Sequence, residues 1–314
     1  SRFANWGIPL PPELPDSAGM VVYVWFDALI NYLTIAGYPE DKEKLAEFWP
    51  ADMHLVGKDI FVRFHATMWP AMLLAAGLPL PKTVFAHGFL TIGGEKISKS
   101  KGNKVDPLEV VEQIRATSGC RPEMALDALR YFLLREVTFG LDGEWSVEAI
   151  IGRFNADLAN DLGNLLNRLL PLIIRYNDGK IPAPAEDEAV TSAAQEAIAG
   201  WEAGMDKYDF SGALRAVWGY LSFLNRWIDS QAPWSLAKAG KKAEVDKVFY
   251  CLAEGLRIVT QLITPVMPNT AAAIQKQLGL PETALAWPEA VTWGQLPGGT
   301  QVSVGEPLFP RVQK

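Results

Sequence analysis

Cysteine is nearly absent. The chain has two, Cys120 and Cys251, far apart and outside any paired motif. That argues against a disulfide framework and against a cysteine-rich zinc site, and it fits a reducing compartment. No apolar run reaches the length that crosses a bilayer, and the N-terminus lacks the pattern of a signal peptide. The expectation is a cytoplasmic chain with no membrane partner. An initiator methionine is also missing, and the proline-rich opening from Ser1 to Pro12 reads as a connection between elements, as if the chain began mid-protein. Internal repeats and low-complexity tracts are absent. Positive charge is in deficit, with a formal net charge of −7. This argues against indiscriminate nucleic-acid binding but permits a specific RNA partner where positive charge is local.

What is present is ordinary globular composition, 49% apolar and 21% charged, on 314 residues, enough for two or three domains with their own cores. Eleven tryptophans are many; aromatic faces commonly hold unstacked bases or apolar ligands.

The most informative stretch is Gly93-Gly94-Glu95-Lys96-Ile97-Ser98-Lys99-Ser100-Lys101-Gly102-Asn103. Its flanking glycines predict a surface loop, and it follows a buried-strand pattern from Thr83 to Leu90. Lysines on flexible stems can follow the moving charge of a polyanion, while Ser98 and Ser100 donate hydrogen bonds. Taken without regard to order, the same lysines are a solvated surface. Two earlier switches have the same form. Met20 to Phe26 predicts a strand running into a helix at Asp27, and Met53 to Asp59 predicts a strand before a helix over 60–76, bent at Pro70 unless that proline falls near a boundary. Alternating strands and helices predict a parallel sheet whose ligand lies beyond the strands' carboxyl ends, near Trp25, Gly57 to Asp59 and the lysine loop.

After Asp106-Pro107 the strand signals fade. Helices are expected from Pro107 and from Pro122 to Glu136, then a turn-rich break over 139–145. Ile150, Phe154, Leu158, Leu162, Leu165, Leu169 and Leu172 mark a long amphipathic helix whose other face carries Asn160, Asp161, Asn164, Asn167 and Arg168. Further amphipathic stretches near 188–208, 211–230 and 243–263 complete a helical bundle, with an irregular Pro- and Gly-rich tail from about Glu282.

Lys96-Ile97-Ser98-Lys99-Ser100 resembles the Lys-Met-Ser-Lys-Ser signature of class I aminoacyl-tRNA synthetases. Val24 to Tyr32, His54 to Ile60, Phe64-His65, Trp69 to Leu73 and His87 to Leu90 resemble consecutive blocks of the bacterial methionyl-tRNA synthetases. Asn164, Arg168 and Gln231-Ala232-Pro233-Trp234 resemble that family's anticodon-reading positions, and Pro307 to Arg311 the end of its conserved core. The resemblance covers nearly the whole chain. It implies an α/β plus all-α protein, the second half of a Rossmann-like parallel-sheet catalytic domain followed by a helical-bundle anticodon-binding domain. The implied division is 1–105 catalytic, 106–145 stem-contact region, 146–281 bundle and 282–314 tail.

The implied reaction activates methionine with ATP, supplied with Mg2+ as its complex, to methionyl-adenylate, and transfers the methionyl group to the 3′ end of tRNA(Met). Lys99, assisted by Lys96 and Ser98, is implied as the group that neutralises the departing pyrophosphate. Gly57 and Asp59, with Lys96 and Lys99, are implied in ATP binding; by position alone Asp59 also reads as a helix cap. Trp25, Ala28, Leu29, Tyr32, Ile60 and His65 are implied in the methionine pocket, although Trp25, Tyr32 and His65 read alone as core. Asn164, Arg168, Pro233 and Trp234 are implied at the anticodon, where a tryptophan offers a stacking face.

Two features depart from the family pattern. The His-Ile-Gly-His signature of the first nucleotide-fold half does not occur, and neither does the zinc-bearing insertion, so no zinc site is expected. An isolated chain is then expected to be inactive without an N-terminal half as partner. His65 also lies one residue further from Asp59 than the family spacing implies, so either Ile60 or Phe61 follows the aspartate in the pocket. The competing readings are a non-catalytic tRNA-binding module and a helical scaffold with an incidental lysine loop.

Overall fold

The computed structural model describes residues 7–97, 105–281 and 286–312. These form two compact units, Ser1–Phe89 and Leu90–Lys314.

The first unit runs α1 (Val24–Ile35), α2 (Lys42–Phe48), β1 (His54–Gly57), α3 (Lys58–Ile60), a π-helical segment (Phe61–Met68), α4 (Trp69–Ala75) and β2 (Val84–His87). β1 and β2 pair in parallel, His54 opposite Val84 and Gly57 opposite His87. The strand expected over Met20 to Phe26 is not formed. Val21 makes only an isolated bridge to Pro9, and the helix has begun by Val24. Periodicity explains the difference. Leu29, Leu33 and Ala36 recur at helical spacing and enter one apolar cluster with Trp49, Trp69 and Leu73, with Trp25 and Tyr32 packed against it. That packing outweighs the β preference of the valines and aromatics before them. Trp25 therefore sits in the first turn of α1, not beyond a strand.

The expected helix over 60–76 is a composite. Its middle is π-helical, a geometry that fits an extra residue into the turn. A residue added between Asp59 and His65 would fit there; Ile60 ends α3 and Phe61 opens the π-helical segment. Pro70 falls in the first turn of α4, where a missing N–H matters least.

The second unit opens with β3 (Leu90–Ile92), which pairs antiparallel with β4 (Glu95–Lys96) and parallel with β5 (Gly143–Glu144). α5 (Pro107–Ser118) and α6 (Pro122–Glu136) come between β4 and β5. Then α7 (Val147–Arg153), a second π-helical segment (Phe154–Gly163) and α8 (Asn164–Asn177) make one long rod. α9 (Glu188–Asp206), α10 (Phe210–Gln231), the short α11 (Pro233–Lys238), α12 (Lys242–Ile263) and α13 (Pro268–Gln277) complete the bundle. α12 is its centre, buried almost without interruption from Val248 to Ile263.

Two charges are buried in α12. Glu254 is fully buried and receives both forks of Arg257, each at 2.8 Å, together with the backbone N–H groups of Gly294, Gln295 and Leu296 at 2.8–3.1 Å. Arg257 in turn donates to the carbonyls of Ala290 and Thr292. The described tail is irregular; its one short helical turn is Glu289–Val291. This ion pair fastens it to the bundle.

Candidate functional site

In the first unit, α1, the end of α3 and the π-helical segment bring together Trp25, Tyr32, Ile60 and His65. His65 is 1% exposed. Its Nδ1 lies 3.0 Å from the Ile60 carbonyl, which only accepts, so Nδ1 carries a proton, and in the neutral ring Nε2 is the acceptor. The Tyr32 hydroxyl, 3.0 Å from Nε2, therefore donates to it. Trp25 presents its edge to the His65 ring at 6.3 Å and stacks on Phe64 at 3.9 Å. Ala28 is half-buried, while Leu29 is 1% exposed and lies inside the apolar cluster beneath the rings. A recess of about 420 Å³ opens beside Tyr32, lined also by Ala36, Trp49 and His54; Trp25 and His65 do not line it. This combination of an apolar floor, aromatic walls and one pre-set hydrogen-bond chain suits a flexible, polarisable side chain.

Gly57 ends β1 and caps α3, and Asp59 stands in the first turn of α3. A Cβ at position 57 would lie 2.8 Å from the Asp59 carboxylate oxygen, which would have to shift to admit it.

Lys96 is exposed on β4 in the second unit. The turn before it is clasped by Glu144, which accepts hydrogen bonds from the Thr91 hydroxyl and the backbone N–H groups of Gly93 and Gly94. The Thr91 hydroxyl foremost, then the two N–H groups, hold the Glu144 carboxyl below its ordinary range. Ser98 and Lys99 lie outside the described residues.

In the bundle, Asn164 and Arg168 lie on one face of α8, as their spacing implies, and both meet α10. Asn164 Nδ2 donates to Asn225 Oδ1 at 3.0 Å, and Arg168 pairs with Asp229. One turn earlier the Ser222 hydroxyl donates to Asp161, and before that the Trp218 indole to the Asp157 carbonyl. Every pair is separated by 61 residues. A constant offset means that the long rod and α10 run in the same direction, joined by a row of polar rungs. Pro233 is buried at the start of α11, just past Ala232, whose φ of 43° turns the chain out of α10. Trp234 is half-buried and packs against the bundle core.

The family model described as "tRNA synthetases class I (M)" matches residues 1–170, and "Anticodon binding domain of methionyl tRNA ligase" matches residues 178–314. The chain belongs to the class I tRNA synthetases (M). A methionine–tRNA ligase of Caldanaerobacter subterraneus subsp. tengcongensis is 49% identical over 98% of this chain and 47% of its own length. That of Bacillus subtilis is 47% identical over 98% of this chain and 45% of its own length. The chain thus spans about half the length of the curated relatives it matches. Among solved structures, apo methionyl-tRNA synthetase of Mycobacterium tuberculosis superposes with a TM-score of 0.81 at 40% identity, covering 99% of this chain and 59% of that one. The same enzyme in complex with methionyl-adenylate gives 0.83 at 41% identity, covering 98% and 59%.

Three groups in this synthetase chain escaped sequence reasoning. His54 is 6% exposed, accepts the Trp69 indole N–H at 3.1 Å and lies against the Tyr32 ring at 4.3 Å. Glu144 looks like part of a turn, and Asn225 and Asp229 like a solvated helix face. Only the fold places them beside the candidate residues. Among the described residues, no group of three or more His, Cys, Asp or Glu could hold a metal ion, and no helix is long and apolar enough to cross a membrane.

His54 makes this synthetase unit acid-sensitive. Burial first, then the nearby His65, lowers its pKa from the ordinary 6.5. The unfolded chain therefore takes up this proton at a pH where the folded chain refuses it. Stability from His54 is full above the unfolded value and is lost as pH falls from about 6.5 toward the lowered folded value. Urea midpoints followed by tryptophan fluorescence should fall more steeply on acidification in the parent than in His54→Gln. Parallel pH profiles would remove His54 as the cause.

Proposed function

We propose that this chain supplies the methionine pocket, nucleotide contacts and anticodon domain of a methionine–tRNA ligase. The enzyme activates methionine with ATP–Mg2+ to methionyl-adenylate and transfers it to the 3′ end of tRNA(Met) in the cytoplasm. The observation that carries this reading is the cluster of aromatic rings in which the Tyr32 hydroxyl, the His65 ring and the Ile60 carbonyl are joined by hydrogen bonds. In the proposal, Trp25, Ala28, Leu29, Tyr32, Ile60 and His65 form the methionine pocket. The thioether packs against ring edges there, a contact of about 0.3–1.5 kcal/mol. Gly57 and Asp59 are assigned to the nucleotide, the carboxylate accepting ribose hydroxyls. Lys96, Ser98 and Lys99 are assigned to the leaving pyrophosphate. Residues 1–105 then serve activation, 106–145 the stem contact and 146–281 the anticodon, with 282–314 as the tail. The test is ATP–pyrophosphate exchange by the enzyme that contains this sequence. Exchange driven by methionine and not by leucine or isoleucine supports the proposal; equal response to the three amino acids sinks it.

The anticodon assignment has its own expected outcome. Base–aromatic stacking contributes about 1–3 kcal/mol by alanine substitution. Trp234→Ala should therefore weaken binding of a CAU anticodon stem-loop about five- to a hundredfold. Trp234 also packs on the bundle, so unchanged helicity and melting come first. A well-folded variant that binds as tightly as the parent would assign Trp234 to packing alone.

A further inference from the structure

The rung between Asn164 and Asn225 has only one consistent arrangement. Asn225 Nδ2 lies 3.1 Å from the Asp161 carbonyl and 3.2 Å from the Leu221 carbonyl. Carbonyls only accept, so the Asn225 amide nitrogen must face them and its oxygen must face Asn164. Asn164 must then turn its nitrogen toward that oxygen, as the 3.0 Å bond records. What remains is Asn164 Oδ1. It takes no hydrogen bond within the described protein, and it is not among the buried polar atoms left without a partner. Reversing either amide would set oxygen against oxygen or nitrogen against nitrogen. The two carbonyls of the helix pair thus dictate, through Asn225, which atom Asn164 shows to solvent.

We propose that Asn225 is a positioning residue that presents Asn164 Oδ1 as a fixed acceptor, so that Asn164 reads an anticodon base bearing an exocyclic amine. The proposal rests on the anticodon reading above. Cytosine and adenine carry such an amine, whereas uracil and guanine carry a carbonyl at the same ring position. A fixed acceptor accepts from the first pair and repels the second. A freely rotating amide would offer its nitrogen to the wrong base and discriminate little.

The test measures binding of the full 314-residue chain to CAU, UAU and CGU stem-loops, the last two each exchanging one amine for a carbonyl. The parent should prefer CAU over at least one of them. Asn164→Ala and Asn225→Ala should each reduce that preference about three- to tenfold, the range of one hydrogen bond. The double variant should be no worse than either single one. Asn225→Leu, of similar volume, serves if Asn225→Ala melts early.

An unchanged preference in Asn225→Ala beside an eroded one in Asn164→Ala would overturn the proposal and leave the anticodon reading intact. A parent that binds all three stem-loops alike would remove that reading and the proposal with it.

Discussion

Glu254→Ala is expected to cost the bundle about 3–5 kcal/mol, the range for removing one partner of a buried ion pair. The substitution leaves the Arg257 guanidinium, 2% exposed, without its counter-charge, and three backbone N–H groups of the tail without their acceptor. α12 lies on one side of the pair and residues 290–296 on the other. Urea unfolding followed by far-UV circular dichroism should show the midpoint falling sharply. A loss below about 1 kcal/mol would mean that the pair contributes as an exposed one does.

In the complete enzyme, Lys99→Ala should slow methionyl-adenylate formation about ten- to a hundredfold, since a charge-assisted hydrogen bond is worth about 1.5–3 kcal/mol. Its effect on ground-state ATP binding should be smaller, because the ammonium is most useful as charge collects on the departing pyrophosphate. The hairpin of β3 and β4, clasped by Glu144, leads the chain into this segment. Rapid-quench kinetics separates the two effects. An unchanged activation rate beside a raised ATP dissociation constant would assign Lys99 to ground-state binding.

Much of this was legible in the sequence, and the exceptions share a cause. Helical periodicity marks the bundle well, because seven apolar residues from Ile150 to Leu172 recur at the spacing of a buried stripe. Met20 to Phe26 misleads because β-branched and aromatic residues report local preference, while Leu29 and Leu33 settle the element through packing. Trp25, Tyr32 and His65 are readable only in the order of their neighbours; as residue types they look like core, and much of their surface is indeed covered. Asn225 and Asp229 carry no local mark at all. An amide and a carboxylate four apart on a helix look like any wetted face, and their meaning depends on a register of 61 residues. Glu254 and Arg257 are the same case in reverse, charges at surface-like spacing that the tail covers.

The π-helical segment from Phe61 to Met68 has a consequence for how such a site can change over time. Adding one residue to a straight α-helix rotates everything beyond it by about 100°, which would carry Trp69 and Leu73 out of the core together. A wider turn confines that rotation to a single bulge. Downstream, Trp69 and Leu73 remain buried, while within the bulge His65 still reaches the Ile60 carbonyl and the Tyr32 hydroxyl. A one-residue change in length, usually confined to loops, can thereby be accommodated inside a helix.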